Sequence, residues 1–227
     1  MKHIVVLTGA GMSAESGIKT FRDADGLWEG HDVMEVASPE GFARNPKLVL
    51  DFYNQRRAQL KEVEPNQAHK DLALLEKDYK VTIVTQNVDD LHERAGSSDV
   101  LHLHGELRKI RSTGNENDIK IWKEDIKIGD TCEKGYQLRP HIVWFGEAVP
   151  MIDTAIKICY AADILVIIGT SMQVYPAASL IDYVQPNTPI FYIDPKPAIT
   201  NSDKVTVITK SATIGLKDLV TLLKESQ

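Results

Sequence analysis

The sequence has few cysteines, no excess of basic residues and no long apolar run. Its 227 residues include only Cys132 and Cys159, too few for a disulfide framework, so a reducing compartment is expected. Lys and Arg number 26 against 32 Asp and Glu, a net charge of −6, which does not favour nucleic-acid binding. Because no apolar run reaches the length of a membrane span or a signal peptide, we expect a cytoplasmic protein that binds neither nucleic acid nor membranes.

What the chain does contain is an alternation of short apolar runs and helical patterns. The apolar runs lie at residues 3–8, 80–86, 99–105, 163–171 and 188–194. The helix-like segments lie at residues 46–61, 66–78, 150–161, 176–184 and 211–226. Several runs are continuously apolar, which is typical of parallel strands that are covered on both faces. The alternation therefore predicts a doubly wound α/β fold with a parallel sheet.

Two regions interrupt this alternation. Residues 20–45 lack strand or long-helix periodicity, so they are expected to be functional or to form short helices. Residues 107–140 are polar and irregular, and they are predicted to form a small module inserted between two strands. The larger part of the fold would then comprise residues of about 1–19, 46–106 and 141–227.

A glycine-rich turn follows the first apolar run, in the stretch "LTGAGMSAESGIKTFRD". Gly9, Gly11 and Ala14 fit a loose G-x-G-x-x-G/A fingerprint, in which the backbone approaches a phosphate and helix N–H groups face the anion. The fingerprint alone also fits an ordinary tight turn between a strand and a helix. NAD-dependent dehydrogenases carry an acidic residue about 20 residues later at a strand end, but Asp32 follows no predicted strand. A hydride-transfer enzyme is therefore disfavoured.

Polar or glycine clusters end nearly every predicted strand. The carboxyl ends of parallel strands meet at one edge of the sheet, where ligands bind. The clusters are Gly9 and Gly11; Gln86, Asn87 and Asp89; His102 and His104; Gly169, Thr170 and Ser171; and Asp194. They contain no Ser/His/Asp or Cys/His nucleophile arrangement. His104 is the best candidate for a general base, since histidine titrates near neutrality, whereas His102 is interpreted as a hydrogen-bonded structural residue.

Five motifs follow one another along the chain: "GAGMSAESGIKTFRD", "TQNVDDLHERAG", "LHLHG", "HIVWFGE" and "GTSMQVYPAA". Together they resemble the sirtuins, NAD-dependent protein lysine deacylases, from about residue 4 to the C-terminal helix. The resemblance implies one catalytic domain over residues 1–227, with a Rossmann-like part, a small module, and sites for NAD and acyl-lysine between them. It also implies that NAD is consumed as a co-substrate.

The resemblance also assigns residues to NAD. Ala10 and Gly11 would approach the phosphates with Arg22 nearby, and Phe21 would flank the nicotinamide ribose. The other expected NAD contacts are Gly9, Ala14, Trp28, Gln86, Asn87, Asp89, Gly169, Thr170, Ser171, Asp194 and Ala212. The family usually has asparagine at the position of Asp194, and an aspartate can still accept hydrogen bonds from ribose hydroxyls.

In the implied reaction, the acyl oxygen of the substrate lysine attacks the ribose carbon and nicotinamide leaves, oriented by Asn87. His104 then removes a ribose hydroxyl proton as general base, and that hydroxyl attacks the acyl-imidate. Water completes the release of lysine and O-acyl-ADP-ribose. The peptide is expected to insert as a strand between "HIVWFGE" and "SMQVYP", with Val143, Phe145 and Gly146 as contacts.

Tyr53 and Arg56 are three positions apart in a helical pattern and therefore share a helix face. From the residues alone, they are interpreted as a packed tyrosine beside a surface arginine. A sirtuin subgroup carries Y-x-x-R at this point, where arginine forks onto a carboxylate and tyrosine adds a hydroxyl. Ala37 also matches a small residue that widens that pocket. The resemblance thus predicts removal of succinyl and malonyl groups, and a weaker deacetylation is also expected.

The inserted module departs from the family pattern, which has two C-x-x-C pairs that hold structural zinc. A closed zinc site needs four ligands, but residues 107–140 contain only Cys132, and Cys159 lies outside the module. We therefore predict that no zinc is bound. The module would instead be held by its connections and by apolar packing of Ile119, Ile121, Trp122, Ile126 and Ile128.

Two further functions stay open at this point. A protein ADP-ribosyltransferase would use the same NAD cleavage and the same pocket. A non-catalytic NAD sensor is disfavoured by Asn87, Asp89 and His104, because binding alone would not require the base. The expected partners are acyl-lysine proteins or peptides, and the protein is expected to be a monomer.

Overall fold

The computed structural model describes residues 1–19, 27–28 and 30–225. Its strands are β1 (His3–Thr8), β2 (Leu27–Trp28), β3 (His31–Asp32), β4 (Lys80–Thr85), β5 (Val100–His102), β6 (Gly105–Ser112), β7 (Asn115–Ile121), β8 (Leu138–Ile142), β9 (Ile164–Ile168), β10 (Ile190–Ile193) and β11 (Val205–Ile208). Its helices are α1 (Ala10–Ala14), α2 (Val33–Val36), α3 (Pro39–Arg44), α4 (Pro46–Gln59), α5 (Gln67–Leu75), α6 (Leu91–Ala95), α7 (Ile152–Tyr160) and α8 (Ala212–Glu225), and Ala177–Tyr183 forms a 3₁₀ helix.

The large sheet contains six strands in the order β11-β10-β9-β1-β4-β5, and every pairing in it is parallel. The predicted doubly wound α/β fold is confirmed. The chain winds from β1 outward through β4 and β5, and then returns to build β9, β10 and β11 on the other side. This reversal opens a crevice at the carboxyl ends of β1 and its neighbour β9, the usual ligand site of such sheets.

The strand β11 was missed by the sequence interpretation. Its four residues, "VTVI", follow a polar stretch and include one threonine, so they offer too short an apolar run to stand out. β11 becomes a strand because it pairs in parallel with β10 at the edge of the sheet. The predicted helix at 176–184 also differs, since Ala177–Tyr183 winds as a 3₁₀ helix.

Both faces of the large sheet are covered, as the apolar runs predicted. Ile4 and Val6 of β1 pack in one cluster with residues of α5 and α8. Val5 and Leu7 point the other way and pack with residues of α7 and the 3₁₀ helix. All six residues of β1 are buried, and each large apolar side chain contributes about 1.5–3 kcal/mol when it is fully buried. The central strand therefore holds its carboxyl end in a fixed place.

Short helices occupy the later part of the irregular region 20–45. Asp32 begins α2 by accepting a hydrogen bond from the N–H of Met34, and Ser38 begins α3 by accepting one from Gly41. Asn45 caps α4 in the same way. Such side-chain acceptors satisfy N–H groups that have no partner within the first turn of a helix. This succession of caps leads the chain directly into α4, which carries Tyr53 and Arg56.

The strands β7, β6 and β8 form a separate antiparallel sheet in that order. The expectation that Ile119, Ile121 and Ile128 pack in its core was wrong: they are 43%, 72% and 55% exposed. β7 is the edge strand of this sheet, where the side chains of Ile119 and Ile121 face solvent, and Ile128 lies in a turn after the strand. Of the predicted residues, Ile126 and Trp122 do pack. They join an apolar cluster of Ile110, Cys132 and Leu138 from the module with Leu50 of α4, and Phe42 of α3 packs against it.

Polar contacts fasten this module to α4. Asn54 accepts a hydrogen bond from the N–H of Ile126 (2.9 Å) and donates one to its carbonyl oxygen (2.9 Å). Arg57, almost fully buried, donates to the carbonyl of Leu107 (2.9 Å) and to the Asn54 side chain (2.8 Å). The two side chains follow Tyr53 on the same helix, so the fastening of the module and the proposed acyl pocket share one support.

A second fastening lies at Glu147. Its carboxylate accepts hydrogen bonds from Arg111 (2.8 Å) and from Arg139 (2.6 Å), and its Oε2 also accepts from the N–H of Trp144 (2.8 Å). The guanidinium of Arg139 lies over the Trp144 ring, 3.2 Å from its centre. Burial alone would raise the pKa of Glu147, but the bond from Arg139 and the other contacts lower it. The carboxylate therefore stays charged and ties the module to the segment after β8.

Candidate active site

Three glycines allow the turns after β1 and β9 to touch. The N–H of Gly11 donates to the carbonyl of Gly169 (2.8 Å). A Cβ atom on Gly11 would lie 2.7 Å from Gly169 Cα, and one on Gly9 would lie 2.7 Å from Thr170 Cβ. Gly169 has a φ of +63°, where a Cβ would lie 2.3 Å from Met12 N. No larger residue fits at this crossing, which keeps bare backbone at the crevice of the sheet.

Of the predicted residues in the first loop, Ala10 is half-buried and Ala14 is exposed on α1. Trp28 meets Phe52 and Tyr53 edge to face, with ring centres 4.8 and 6.0 Å apart. Phe21 and Arg22, predicted to lie against NAD, fall outside the described residues.

Ser13 joins the two polar side chains that follow β4. Its hydroxyl donates to Asp89 Oδ2 (2.9 Å) and accepts from Asn87 Nδ2 (3.1 Å). Burial raises the pKa of Asp89, against the effect of its hydrogen bonds from Leu91 N–H and Ser13. The sequence interpretation missed Ser13, although it lies only two positions after Gly11. Its hydroxyl fixes the amide and carboxyl groups relative to each other within the crevice.

The residues predicted for the adenosine side lie at the ends of β9, β10 and the start of α8. Gln86 Nε2 donates to Thr170 Oγ1 (3.1 Å), which connects the end of β4 to the end of β9. Ser171, the next residue, is half-buried. Asp194 is buried and accepts a hydrogen bond from the N–H of Lys196 (2.8 Å). Ala212 is buried in the first turn of α8.

Glu15 holds the start of α8 against the end of α1. Its carboxylate accepts hydrogen bonds from the N–H of Thr213 (3.0 Å) and from the hydroxyls of Thr213 (2.7 Å) and Ser211 (3.1 Å). An acidic group is favourable at a helix N-terminus, where N–H groups lack partners. Glu15 thereby brings Ala212 to the same edge of the sheet as the glycine turn.

His104 follows β5 and lies beside the end of β4. Its Nδ1 is 3.2 Å from the carbonyl oxygen of Gln86. A carbonyl can only accept, so Nδ1 carries the proton and Nε2 keeps the basic lone pair. Burial lowers the pKa of His104, and the Gln86 carbonyl offsets only part of this effect. The imidazole is therefore neutral near pH 7, the form that a general base requires.

Gly105 turns the chain sharply after His104 and into β6. Its φ is +82°, and a Cβ there would lie 2.0 Å from the carbonyl oxygen of His141. The carbonyl of His104 in turn accepts a hydrogen bond from the N–H of Val143 (2.9 Å). The predicted base is thus joined through its backbone to the "HIVWFGE" segment that was predicted to bind peptide.

Tyr53 and Arg56 lie on the face of α4 that is turned towards Trp28. Tyr53 is fully buried, and its hydroxyl accepts a hydrogen bond from Trp144 Nε1 (3.0 Å). Burial raises its pKa, so the hydroxyl keeps a proton to donate. Arg56 is half-buried, with its guanidinium 4.9 Å from the centre of the Phe52 ring. The interpretation of Arg56 as an ordinary surface residue does not describe this partly enclosed position.

The other predicted substrate contacts lie next to this group. Ala37 is buried, and its carbonyl oxygen accepts a hydrogen bond from the N–H of Phe145 (2.9 Å). Val143 is half-buried, while Phe145 is exposed. Gly146 has a φ of +91° and open space around it. The segment 143–146 thus presents an exposed aromatic side chain and an uncrowded backbone between His104 and Tyr53.

The described part of the chain contains no group of three or more His, Cys, Asp or Glu side chains placed to hold a metal ion. Within the module, Cys132 is buried and its sulfur accepts a hydrogen bond from the Ser112 hydroxyl (3.3 Å). That hydrogen bond lowers the pKa of the thiol, against the effect of its partial burial. Cys159 is buried in α7, away from the module.

Comparison with known proteins identifies the family. The model of the Sir2 family matches residues 9–176, which include the glycine turn, the Asn87–Asp89 segment and His104. The chain belongs to the Sir2 family. A relative from Helicobacter pylori (strain ATCC 700392 / 26695), named NAD-dependent protein deacylase, is 59% identical over 226 residues, covering 99% of each chain.

Solved Sir2 structures share the whole architecture. A Sir2 homologue in complex with NAD superposes with a TM-score of 0.89 at 41% identity, covering 99% of this chain and 90% of that one. Sir2Tm bound to a propionylated peptide gives a TM-score of 0.80 at 26% identity, covering 96% of this chain and 92% of the other. None of the described helices of this Sir2 chain is long and apolar enough to cross a bilayer.

Proposed function

We propose that this Sir2 chain is an NAD-dependent protein deacylase whose preferred substrates are succinyl- and malonyl-lysine. The observation that carries the acyl preference is the position of a buried, protonated Tyr53 hydroxyl and a half-buried Arg56 guanidinium one helical turn apart on α4. The general activity is supported by the relative at 59% identity, which is named a deacylase.

The residues at the carboxyl edge of the sheet fit NAD as a co-substrate. The tight crossing of Gly9, Gly11 and Gly169 brings the turns after β1 and β9 together and leaves backbone without side chains at the crevice, which lets a pyrophosphate approach closely. Asn87 and Asp89 offer an amide and a carboxyl group, which match the donor and acceptor of a carboxamide. When bound, NAD supplies the electrophilic ribose carbon and the nicotinamide leaving group.

The chain's own residues then have separate tasks. Ser13 holds Asn87 and Asp89 in one arrangement, so the nicotinamide amide meets preorganised partners. His104, neutral and with its basic Nε2 unengaged by the Gln86 carbonyl, takes the proton of a ribose hydroxyl. General-base action of this kind contributes roughly 10²–10⁴-fold to the rate.

The acyl pocket would recognise a carboxylate at the end of the acyl chain. Arginine can donate two parallel hydrogen bonds to a carboxylate, and the tyrosine hydroxyl adds a third donor. Tyr53 uses its lone pair for Trp144 Nε1 and keeps its own proton for the ligand. An acetyl group offers no such acceptor, so it would gain none of these bonds. We also propose that the peptide adds as a strand along residues 143–146.

The cellular setting is part of the same proposal. The described cysteines, Cys132 and Cys159, are both buried and unpaired, as in proteins of reducing compartments. We therefore propose a cytoplasmic monomer that acts on acylated proteins rather than on nucleic acid.

The decisive experiment compares acetyl-, malonyl- and succinyl-lysine peptides with NAD and follows the products by mass. Wild type is expected to release O-acyl-ADP-ribose, with the highest kcat/KM for the acidic acyl groups. Arg56→Met should lower kcat/KM for succinyl-lysine roughly 10–100-fold, because charge-assisted bonds of about 1.5–3 kcal/mol are lost. It should leave deacetylation within a few-fold of wild type.

Two variants serve as controls. Arg44→Met makes the same change at an exposed arginine of α3 and should alter no acyl preference. His104→Ala should abolish turnover of all three peptides. If Arg56→Met keeps full desuccinylation, the acyl assignment is wrong. If labelled NAD transfers ADP-ribose to protein without loss of the acyl group, the chain is an ADP-ribosyltransferase instead.

A further inference from the structure

His102 lies between two hydrogen-bond acceptors next to the active site. Its Nδ1 is 3.0 Å from the carbonyl oxygen of Asn87, and its Nε2 is 2.7 Å from Glu93 Oε1 on α6. A carbonyl and a carboxylate both accept and neither donates. Both ring nitrogens must therefore carry protons for both bonds to exist, which makes the side chain an imidazolium.

The charges around His102 favour this form. Burial alone would lower its pKa, but the hydrogen bond and charge of Glu93, the Asn87 carbonyl and Glu106 of β6 together raise it. Asp89 also interacts with this imidazole, as does the neighbouring His92, whose own pKa is lowered by burial. Lys109 of β6 acts on Glu93. The negative groups outweigh the positive ones, so a proton on His102 is favoured.

The contact fixes one residue of the proposed NAD site. The N–H of Asn87 donates to Thr85 Oγ1 (3.0 Å), and its carbonyl accepts from His102. The peptide groups on both sides of the Asn87 Cα are thus held, which sets the direction of the side chain towards Ser13 and Asp89. His102 is only 8% exposed, and Glu93 lies on the outer side of this contact at 41%.

We propose that His102, held as an imidazolium between Glu93 and the carbonyl of Asn87, is a positioning residue for the nicotinamide end of NAD. His104, two residues later, meets one acceptor and acts as a neutral base, so the two histidines serve in opposite protonation states. This inference rests on the proposed role of Asn87 in binding NAD. It predicts that NAD affinity falls as pH rises through the pKa of His102, because the neutral ring can keep only one of its two bonds.

The test combines two measurements across pH 5 to 9. Histidine ring resonances in NMR spectra report the charge of His102, assigned by comparison with His102→Leu. Calorimetry reports the affinity for NAD without any need for turnover. In wild type, His102 should titrate above the ordinary histidine range, and NAD binding should weaken over the same pH interval.

Glu93→Ala removes the carboxylate that bonds His102 and leaves every proposed NAD contact in place. His102 should then titrate at lower pH than in wild type, and the loss of NAD affinity should move to lower pH with it. His102→Leu should weaken NAD binding about tenfold near pH 7 and abolish this pH dependence, because the charge-assisted hydrogen bond that fixes the Asn87 carbonyl is lost. The matched control is Glu64→Ala, an exposed glutamate paired with Arg94, which should change neither curve.

A wild-type His102 that titrates at or below the ordinary histidine range would overturn the proposal. So would Glu93→Ala curves that coincide with those of wild type. The proposed function fails separately: wild type that binds NAD with the expected pH dependence, yet removes no acyl group, would refute only the deacylase activity.

Discussion

The six-stranded sheet and the inserted module of β6, β7 and β8 are built on different principles. All residues of β1 are buried and its neighbours on both sides are parallel strands. β7, by contrast, is exposed along nearly its whole length. The sheet is held by apolar packing on both faces, whereas the module relies on a small apolar cluster and on two polar fastenings. This difference places the reacting groups on the part of the molecule that resists deformation.

The module nevertheless helps to shape the site. Asn54 and Arg57 fasten it to the same helix that carries Tyr53 and Arg56. Glu147 joins Arg139 to the backbone N–H of Trp144, and the indole Nε1 of Trp144 donates to the Tyr53 hydroxyl. Disorder in the module would therefore disturb the proposed acyl pocket more than the proposed NAD site.

The largest effect is expected from Asn54→Ala, which breaks the fastening on α4. The backbone N–H and carbonyl of Ile126 and one N–H of Arg57 would lose their partner. Buried groups left without a bond cost about 1–3 kcal/mol each, so we expect a loss of about 4 kcal/mol in unfolding free energy, measured by chemical denaturation. Hydrogen exchange should increase within residues 105–142 while β1 and β4 stay protected.

The adjacent exposed residue provides the control. Gln55→Ala should leave both the unfolding free energy and the exchange pattern within error of wild type. Equal loss of protection in the module and in the large sheet after Asn54→Ala would show that the two regions unfold as one unit, contrary to the comparison drawn above.

The next effect concerns stability in acid, which the large sheet and the module are expected to lose over different pH ranges. His69 of α5 is fully buried beside His92, with ring centres 4.8 Å apart, and burial lowers its pKa to about 4. The unfolded chain binds a proton near pH 6.5, so the stability is complete above that pH and falls as the pH drops towards 4. This group alone accounts for up to about 3 kcal/mol over that range.

His69→Leu should therefore reduce the slope of stability against pH between 6.5 and 4, as followed by thermal or urea unfolding. The pKa of Glu147, which ties the module, is lowered instead. Its contribution is present above its unfolded pKa and is lost only as the pH falls below about 4.5. Lys70→Gln on the same helix is the control. If His69→Leu keeps the wild-type slope of stability against pH, then groups other than His69 cause the loss of stability in this range.

The smallest effect is expected when a chelator is added to test the module for a bound metal. A chelator should leave the melting temperature and the deacylation rate unchanged, because Cys132 has a serine hydroxyl rather than further thiolates beside it. Cys132→Ala should cost about 1 kcal/mol, the loss of a small buried side chain and one weak hydrogen bond. Stoichiometric zinc in the purified protein, or a large fall in melting temperature with chelator, would contradict this prediction.

The patterns of the sequence predicted the fold well where they were long and apolar. β1, β4, β9 and β10 follow from short apolar runs, α4 and α5 from helical patterns with Asn or Pro at their starts, and α8 from its helical pattern alone. β11 was missed because a short edge strand has little apolar signal. Ile119, Ile121 and Ile128 misled because hydrophobicity does not reveal whether another element covers a side chain.

The candidate site divides in the same way. His104, Asn87 and the glycine turn stand out from residue type, position after a strand and motif spacing. Ser13, Glu15 and Glu93 carry no such signal, because a serine or glutamate on a helix is ordinary until its partners are known. Their significance comes from side chains that are distant in sequence, such as Asp89 for Ser13 and Thr213 for Glu15.

The sequence by itself determined the parallel α/β architecture and the set of polar residues that end its strands, because strand burial and turn chemistry are local properties of the chain. Only the tertiary structure decided the protonation states of two histidines two residues apart. His102 meets a carboxylate and a carbonyl, whereas His104 meets a single carbonyl. A proton is gained or lost according to the acceptors that folding brings to each ring nitrogen, and those acceptors come from other segments of the chain.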